Sequence, residues 1–404
     1  MRLIILSLLT FFSTQIFAQS DFEKKLQTKL ILAEDGDVIN IEAGNFALTK
    51  SLSLDGKKNI TIRGKGIDKT VLNFKAQTQG AEGIRITNCE NIILEDFTAE
   101  DSKGDLIKTM RVKGITFRRL KTAWTGKPSP TNGSYGLYPV LCEKVLIDSC
   151  IAIGASDAGI YVGQSKYITV RNCTAFQNVA GIEIENSLYA EVYNNVAEGN
   201  TGGILVFDLP DLIQKKGGFV RVYNNLIKEN NLANFAPKGN IVGNVPKGTG
   251  MMVLATSQVE IFDNKILNHS TVGVAIISYF MTEKKNKDKG YYPYPTSINI
   301  HDNLFERKPR RVPMDSRFGQ LYRVKLKFGR KIPQVIFDGI LDPKLVGTDG
   351  KYLPEYAICV RNNINQSTSF LDADHDFKNV LESLLRKNEK GEFLESYSEV
   401  RDNA

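Results

Sequence analysis

The sequence predicts an all-β fold, a single-stranded parallel β-helix, and three observations carry that expectation. The strings GIYVGQS from Gly159, GIEIENS from Gly181 and GILVFDL from Gly203 repeat one glycine-led apolar alternation at intervals of twenty-two residues. A polar triplet also recurs: DSC at 148–150, RNC at 171–173, YNN at 193–195 and 223–225, FDN at 262–264 and HDN at 301–303. Each triplet follows a short β-prone run such as KVLI, YITV, AEVY or VEIF. Finally, the chain lacks a repeated LxxLxL spacing and propeller-blade signatures and has one tryptophan, which excludes leucine-rich and propeller architectures. Strands of three to six residues cannot bury an apolar face alone. They do so by coiling and stacking, with turns about 4.8 Å apart.

The elements follow in chain order. The opening MRLIILSLLTFFSTQIFAQS has one arginine, an apolar run from Leu3 to Phe12 and Ala18 at a cleavable position. It reads as a secretory leader over residues 1–18, too short to span a bilayer and without a cysteine for a lipid anchor. The expectation is a periplasmic or secreted protein without a transmembrane segment. DFEKKLQTKLIL is amphipathic and suits an N-terminal helical cap over the open end. VINIEAGNFAL from Val38 reads as the first turn, and GIRITNCENIILED from Gly83 and LIKTMRVKGITFRR from Leu106 continue the stack. The β-helix is expected over 19–372, with insertions at about 121–135, 209–218, 231–249, 280–296 and 306–356. Such insertions flank a binding face. Residues 373–404 are expected to form a C-terminal helical cap and tail, with Phe377, Val380, Leu381, Leu384 and Leu385 on one helical face.

Strand alternation sends Ile160, Val162, Ile182, Ile184, Ile204 and Val206 inward. Asn195, Asn225, Asn264 and Asn303 are expected to form an internal ladder of amides. Cys150 and Cys173 stack one turn apart, a distance that permits a disulfide, although an interior cysteine reads first as a core thiol. His269, His301 and His375 make no metal-ligand spacing.

The outward positions sort by chemistry. One column runs Arg85, Lys108, Tyr138, Tyr161, Glu183, Leu205, and its neighbour Thr87, Met110, Val140, Gly163, Glu185, Phe207. Asn88, Arg111, Leu141, Gln164, Asn186 and Asp208 line the turn edge. The face thus passes from basic through aromatic to acidic. Chemistry on a uronate needs a group that neutralises its carboxylate, a base for the C5 proton, and an acid. Arg85 and Lys108, with Arg111, could neutralise. Tyr138 and Tyr161 could exchange protons if a neighbouring cation lowers the phenol pKa. Trp124, Gln164 and Asn186 could contact sugar, and Asp157, Glu183, Glu185 and Asp208 could hold calcium. Glu183 and Glu185 also sit about 6.6 Å apart along one strand, a spacing that could suit an inverting hydrolase. The plain alternative is a charged face kept for solubility.

The net charge is +7. Ten cations crowd residues 307–331 against Asp315 alone. In an exported protein such a segment favours acidic polysaccharide or membrane phosphate over nucleic acid, or an exported protein partner.

GLYPVLCEKVLIDSCIAIGASDAGIYVGQSKYITVRNCTAFQNVAGIEIENS, followed by GGILVFDLP, NFAPKGNIV and GTGMMVLAT, resembles the exported right-handed parallel β-helix repeat proteins of bacteria, within the pectate-lyase-like superfamily. The resemblance implies a right-handed coil and export. More distantly it implies the company of pectate and alginate lyases, mannuronan C5-epimerases, polygalacturonases and a periplasmic copper-related β-helix protein. The NTD, GHG and RIK strings of polygalacturonases are absent. The expectation is therefore a lyase or C5-epimerase acting on an acidic polysaccharide. A non-catalytic polysaccharide-binding or scaffolding protein and a copper-related protein are the alternatives.

Overall fold

The computed structural model describes residues 21–330 and 332–375. Within them three parallel sheets wrap around one core as a right-handed β-helix. Sheet A stacks eleven strands, from Val38–Asn40 to Ile358–Arg361; sheet B stacks ten, from Gly44–Ala47 to Leu304–Glu306; sheet C stacks eleven, from Lys50–Asp55 to Thr368–Phe370. The predicted inward residues Ile160, Val162, Ile182, Ile184, Ile204 and Val206 are all buried in the interior.

The recurring triplets explain the corner between sheets A and B. The middle residue of each is left-handed: Ser149 (φ 58°), Asn172 (54°), Asn194 (56°), Asn224 (54°), Asp263 (53°) and Asp302 (54°). Asn and Asp tolerate that conformation best among residues with a side chain. The third residue turns inward. Backbone N–H groups of Cys173, Asn195, Asn225, Asn264 and Asn303 donate to the amide oxygen one rung on, at 2.9–3.0 Å, so the expected ladder extends to Asn363. Cys150 and Cys173 are free buried thiols at the start of the same column.

A second amide ladder lies at the corner between sheets B and C. Ala155, Asn178 and Asn200 donate their backbone N–H to the Oδ1 of Asn178, Asn200 and Asn230 at 2.9–3.0 Å. It accounts for Gly159, Gly181 and Gly203, near the start of three successive strands of sheet C. A Cβ on Gly181 would stand 2.9 Å from Asn200 Nδ2 and 2.6 Å from the Gly203 carbonyl; one on Gly203 would stand 2.8 Å from Asn230 Nδ2. These glycines are required by close approach, not by backbone torsion.

The N-terminal cap is a helix through residues 21–32. Leu26 and Leu30 close the core, and Phe22 stacks on Phe46 at 3.6 Å. Gln27 exchanges hydrogen bonds of 3.0 and 2.8 Å with the Ser53 backbone, and Glu23 accepts from Thr49 N–H at 2.6 Å. The free edge of the first strand of sheet C, Lys50–Asp55, is thereby partly occupied. The expected C-terminal helix, with Phe377, Val380, Leu381, Leu384 and Leu385, lies outside the described residues.

The insertions leave the coil between strands. Within 121–135, Lys121–Ala123 is still a strand of sheet B. Within 306–356, Val335–Phe337 is a strand of sheet C, so that stretch is two loops around one rung.

Candidate functional site

The outward columns of sheet C fall in the expected register. Arg85 pairs with Lys108, Lys108 with Tyr138, Tyr161 with Glu183 and Glu183 with Leu205. What the sequence did not reveal is that half of this face is covered. From Leu205 onward the outward residues Leu205, Phe207, Met252, Leu254, Ala275 and Ile277 are buried beneath Val242, Val245, Tyr279, Tyr291, Val312, Tyr322 and Phe328 of the loops. A second apolar core thus lies outside the coil.

The cover reaches the acidic rungs. Asp157 and Glu185 are 7% exposed, Tyr161 4%, and Glu183 and Asp208 3%. These residues do not line an open groove, as the sequence suggested; Tyr138 and Lys108 are half-buried at its border, and Arg85 is exposed. Lys108 Nζ stands 4.8 Å over the Tyr138 ring and lies 3.7 Å from Glu82 and 3.8 Å from Asp105.

Behind Lys108 the rings of Tyr135, Tyr138 and Tyr161 pack together, with centroids 4.4–5.0 Å apart. Tyr161 Oη donates to Glu185 Oε1 at 2.7 Å, and Tyr135 Oη to Asp157 Oδ2 at 3.3 Å. From the covering loop, Asn240 Nδ2 donates to the same Asp157 oxygen at 3.1 Å. Glu183 Oε2 is buried without a hydrogen-bond partner.

Burial governs the titration. It pushes Asp157 up to about 7, helped by the Glu185 charge, and Glu185 up to about 7. Burial raises Glu183 as well, reinforced by Asp157 and Glu185. Asp105, buried beside Lys108, is raised to about 6, and Asp208 to about 8. The phenols move the opposite way from the expectation: burial first and neighbouring carboxylates second raise Tyr135, Tyr138 and Tyr161, so each hydroxyl keeps its proton.

Several expected roles are corrected. Trp124 is buried, and its indole N–H donates to the Ser102 carbonyl at 3.0 Å, so it anchors its loop rather than offering a face to sugar. Gln164 Oε1 accepts from Ile213 N–H at 2.9 Å. Asn186 exchanges bonds of 2.9 and 2.7 Å with the Leu209 backbone. Both amides therefore tether the loop at 209–217. Arg111 donates to Asn88 Oδ1 at 2.9 Å on the exposed edge. Among the described residues no group of three or more His, Cys, Asp or Glu side chains is arranged to hold a metal ion. The calcium reading fails on geometry. Asp208 turns its oxygens to Gly217 N–H (2.8 Å) and Thr256 (3.4 Å), while Asp157 and Glu185 turn theirs to Tyr135, Asn240 and Tyr161.

Asp105, Glu82 and Asn240 were not singled out from the sequence, and Tyr135 was given no role there. Tyr135 carried a usable signal, because Tyr135 and Ala158 hold matching positions on successive rungs. Asn240 carried none, since a loop without periodicity does not announce where it folds back.

The family model described as Right handed beta helix region matches residues 31–208 and 130–288. The chain belongs to this family. Among curated beta-helix relatives, the pre-neck appendage protein of Bacillus phage B103 is 26% identical over 206 residues, 42% of this chain and 24% of that protein. That of Bacillus phage phi29 is 24% identical over the same shares. The chain thus spans 24% of the length of the curated relatives it matches. Among solved structures, the A-module of the Azotobacter vinelandii mannuronan C-5 epimerase AlgE6 superposes with a TM-score of 0.51 at 14% identity, covering 87% of this chain and 91% of that one. The AlgE4 A-module gives 0.50 at 14%, covering 83% and 89%. At such identity the likeness is one of beta-helix fold.

Proposed function

We propose that the protein is exported and acts on an acidic, uronate-containing polysaccharide held along the open rungs of sheet C, as a lyase or C5-epimerase. The observation that carries this reading is Lys108, half-buried over Tyr138 where the open face meets carboxyls raised to about 6 and 7. A proton next to a carboxylate leaves only when that carboxylate is neutralised and a base is free near neutral pH. Lys108, with Arg85 one rung behind, supplies the positive charge. Asp157, joined to the hydroxyl of the half-buried Tyr135, accepts the C5 proton through it, with Tyr161 and Glu185 packed behind as positioning residues. Tyr138, neutral, donates to the leaving O4 in a lyase, or back to C5 from the other face in an epimerase. The leader-like N-terminus supports export, and the two mannuronan C-5 epimerase modules, which share the fold, support the substrate class.

A second reading, retention of glycan without turnover, is favoured by the burial of Tyr161 and Glu183. The phage relatives, which are appendage proteins, also suit it. Proton NMR in deuterated water with a panel of polyuronates separates the two. Olefinic signals indicate a lyase, and deuterium entering at C5 indicates an epimerase. Either should vanish in Lys108→Ala and fall sharply in Tyr138→Phe. Unchanged spectra with folded protein that still retains polymer would establish the second reading.

A further inference from the structure

The loops that cover sheet C carry a charge unlike the rest of the chain. Residues 209–217, 231–248, 280–296 and 307–330 hold seventeen Lys and Arg against four Asp and Glu, a larger surplus than the +7 of the whole protein. Everything outside them is net acidic. The loops also form one layer: Lys215 pairs with Asp288, Lys247 with Asp315 at 2.5 Å, and Arg317 with Glu283 at 2.6 Å. On this layer stand Ile213 (79% exposed), Val324 (61%), Phe280 (47%) and Met314 (44%), each beside exposed cations. Beneath, a cavity of about 790 Å³ is lined by Phe280, Met281, Phe318, Leu321 and Val245 together with Lys247 and Arg317.

We infer that this layer is a docking surface for an anionic lipid bilayer. Cations and isolated large apolar side chains on one face match the two parts of such a surface. Lysines meet the headgroup charge at about 1 kcal/mol each, and apolar tips enter the boundary with the acyl chains. A soluble acidic polymer would use the cations but gives no reason for Ile213, Val324, Phe280 and Met314 to project among them. No chain segment need cross the bilayer: among the described residues no helix is long and apolar enough to do so.

The test is co-sedimentation of the purified full protein with vesicles of phosphatidylcholine alone or mixed with phosphatidylglycerol, across a salt series. Binding is expected only to the mixed vesicles and should fall with salt. Combining Lys285→Gln, Lys287→Gln and Lys289→Gln should weaken it about a hundredfold, at about fivefold per lysine. Phe280→Ser with Val324→Ser should weaken it about tenfold. Lys144→Gln with Lys166→Gln, on exposed lysines of sheet A, should leave it unchanged, and circular dichroism shows that each variant is folded. Equal binding to both vesicle types, no binding to either, or indifference to the triple change overturns the inference. Retention of soluble polyuronate by the layer without any vesicle binding overturns it in favour of polysaccharide.

Discussion

Replacing Asn225 by alanine tests the idea that side-chain amides, as much as apolar packing, hold the corner of the coil. Asn225 is 2% exposed and takes part in four side-chain hydrogen bonds. Its Oδ1 accepts from the backbone N–H and Nδ2 of Asn195 at 2.9 and 3.0 Å; its Nδ2 donates to the Val192 carbonyl and to Asn264 Oδ1, both at 2.9 Å. After truncation Asn195 Nδ2 still reaches the Val170 carbonyl, and Asn264 Oδ1 still receives the backbone N–H of residue 225. The Asn195 N–H and the Val192 carbonyl lose their amide partner in a dry corner. At about 1–3 kcal/mol for each of the two buried groups left without a partner, the expected loss is about 2–6 kcal/mol. Guanidinium unfolding followed by far-ultraviolet circular dichroism measures it, with Asn40→Ala as an exposed comparison expected to cost under about 0.5 kcal/mol. Asn225→Asp keeps the acceptor but removes both donors and buries a charge; it should be at least as damaging at neutral pH and recover in part on acidification. A loss for Asn225→Ala below about 1 kcal/mol would refute the reasoning, since the corner would then tolerate its unpaired groups.

Two further outcomes follow from the acidic rungs and the first loop. Asp157, Glu185 and Asp208 have folded pKa values raised to about 7, 7 and 8. Between the ordinary values of 3.8 and 4.5 and these raised ones the folded state binds more protons, so their stabilising contribution, complete below the ordinary values, is lost progressively as pH rises to about 8. His269, held neutral by burial and lowered to about 4, opposes this trend only below its ordinary value of 6.5. His301 is raised by its hydrogen bond to Glu260 and acts in the same direction as the carboxyls. The melting temperature should therefore fall between about pH 6.5 and 8.5, and Glu185→Gln should flatten the profile; a rise over that range would contradict the assignment. Trp124→Ala should cost about 3–5 kcal/mol in stability while leaving the affinity for any polysaccharide unchanged in folded protein, read by calorimetry. A selective loss of affinity would return Trp124 to the role of a sugar platform.

The coil was legible because its determinants repeat. A left-handed corner residue followed by an inward amide writes NN or DN at a fixed spacing, and alternation separates Ile182 and Ile184 from Glu183 and Glu185. The second ladder was equally written, as Asn178 and Asn200 three residues ahead of Gly181 and Gly203, but the glycines served only to mark the period and the amides they make room for went unread. The site was only half legible. Register placed Lys108, Tyr138 and Tyr161 in one column, as the sequence implied. Their surroundings depend on loops without periodicity, and no local rule says that Tyr291 reaches back to the Asp208 carbonyl. One warning was present: Leu205, Phe207, Met252 and Leu254 at outward positions are too apolar for an uncovered face. Read that way, they also foretell that the neighbouring acids are buried and their pKa values raised.

The loop layer also makes the two ends of the rod mechanically unequal. Most rungs before Asp208 touch chiefly the rungs above and below, as in a stack of coins. Beyond it, the bond from Tyr291 to Asp208 joins residues 83 positions apart, and Asp338 holds Ser278 across 60. Pulled from its termini, the N-terminal half would peel one coil at a time, while the C-terminal half would have to give way as a block. In synthesis the order runs the other way. The early coils can close as they emerge, but the later ones stay without their outer packing until the segment around Tyr322 and Phe328 has been made, so the last third of the chain decides when the rod becomes rigid.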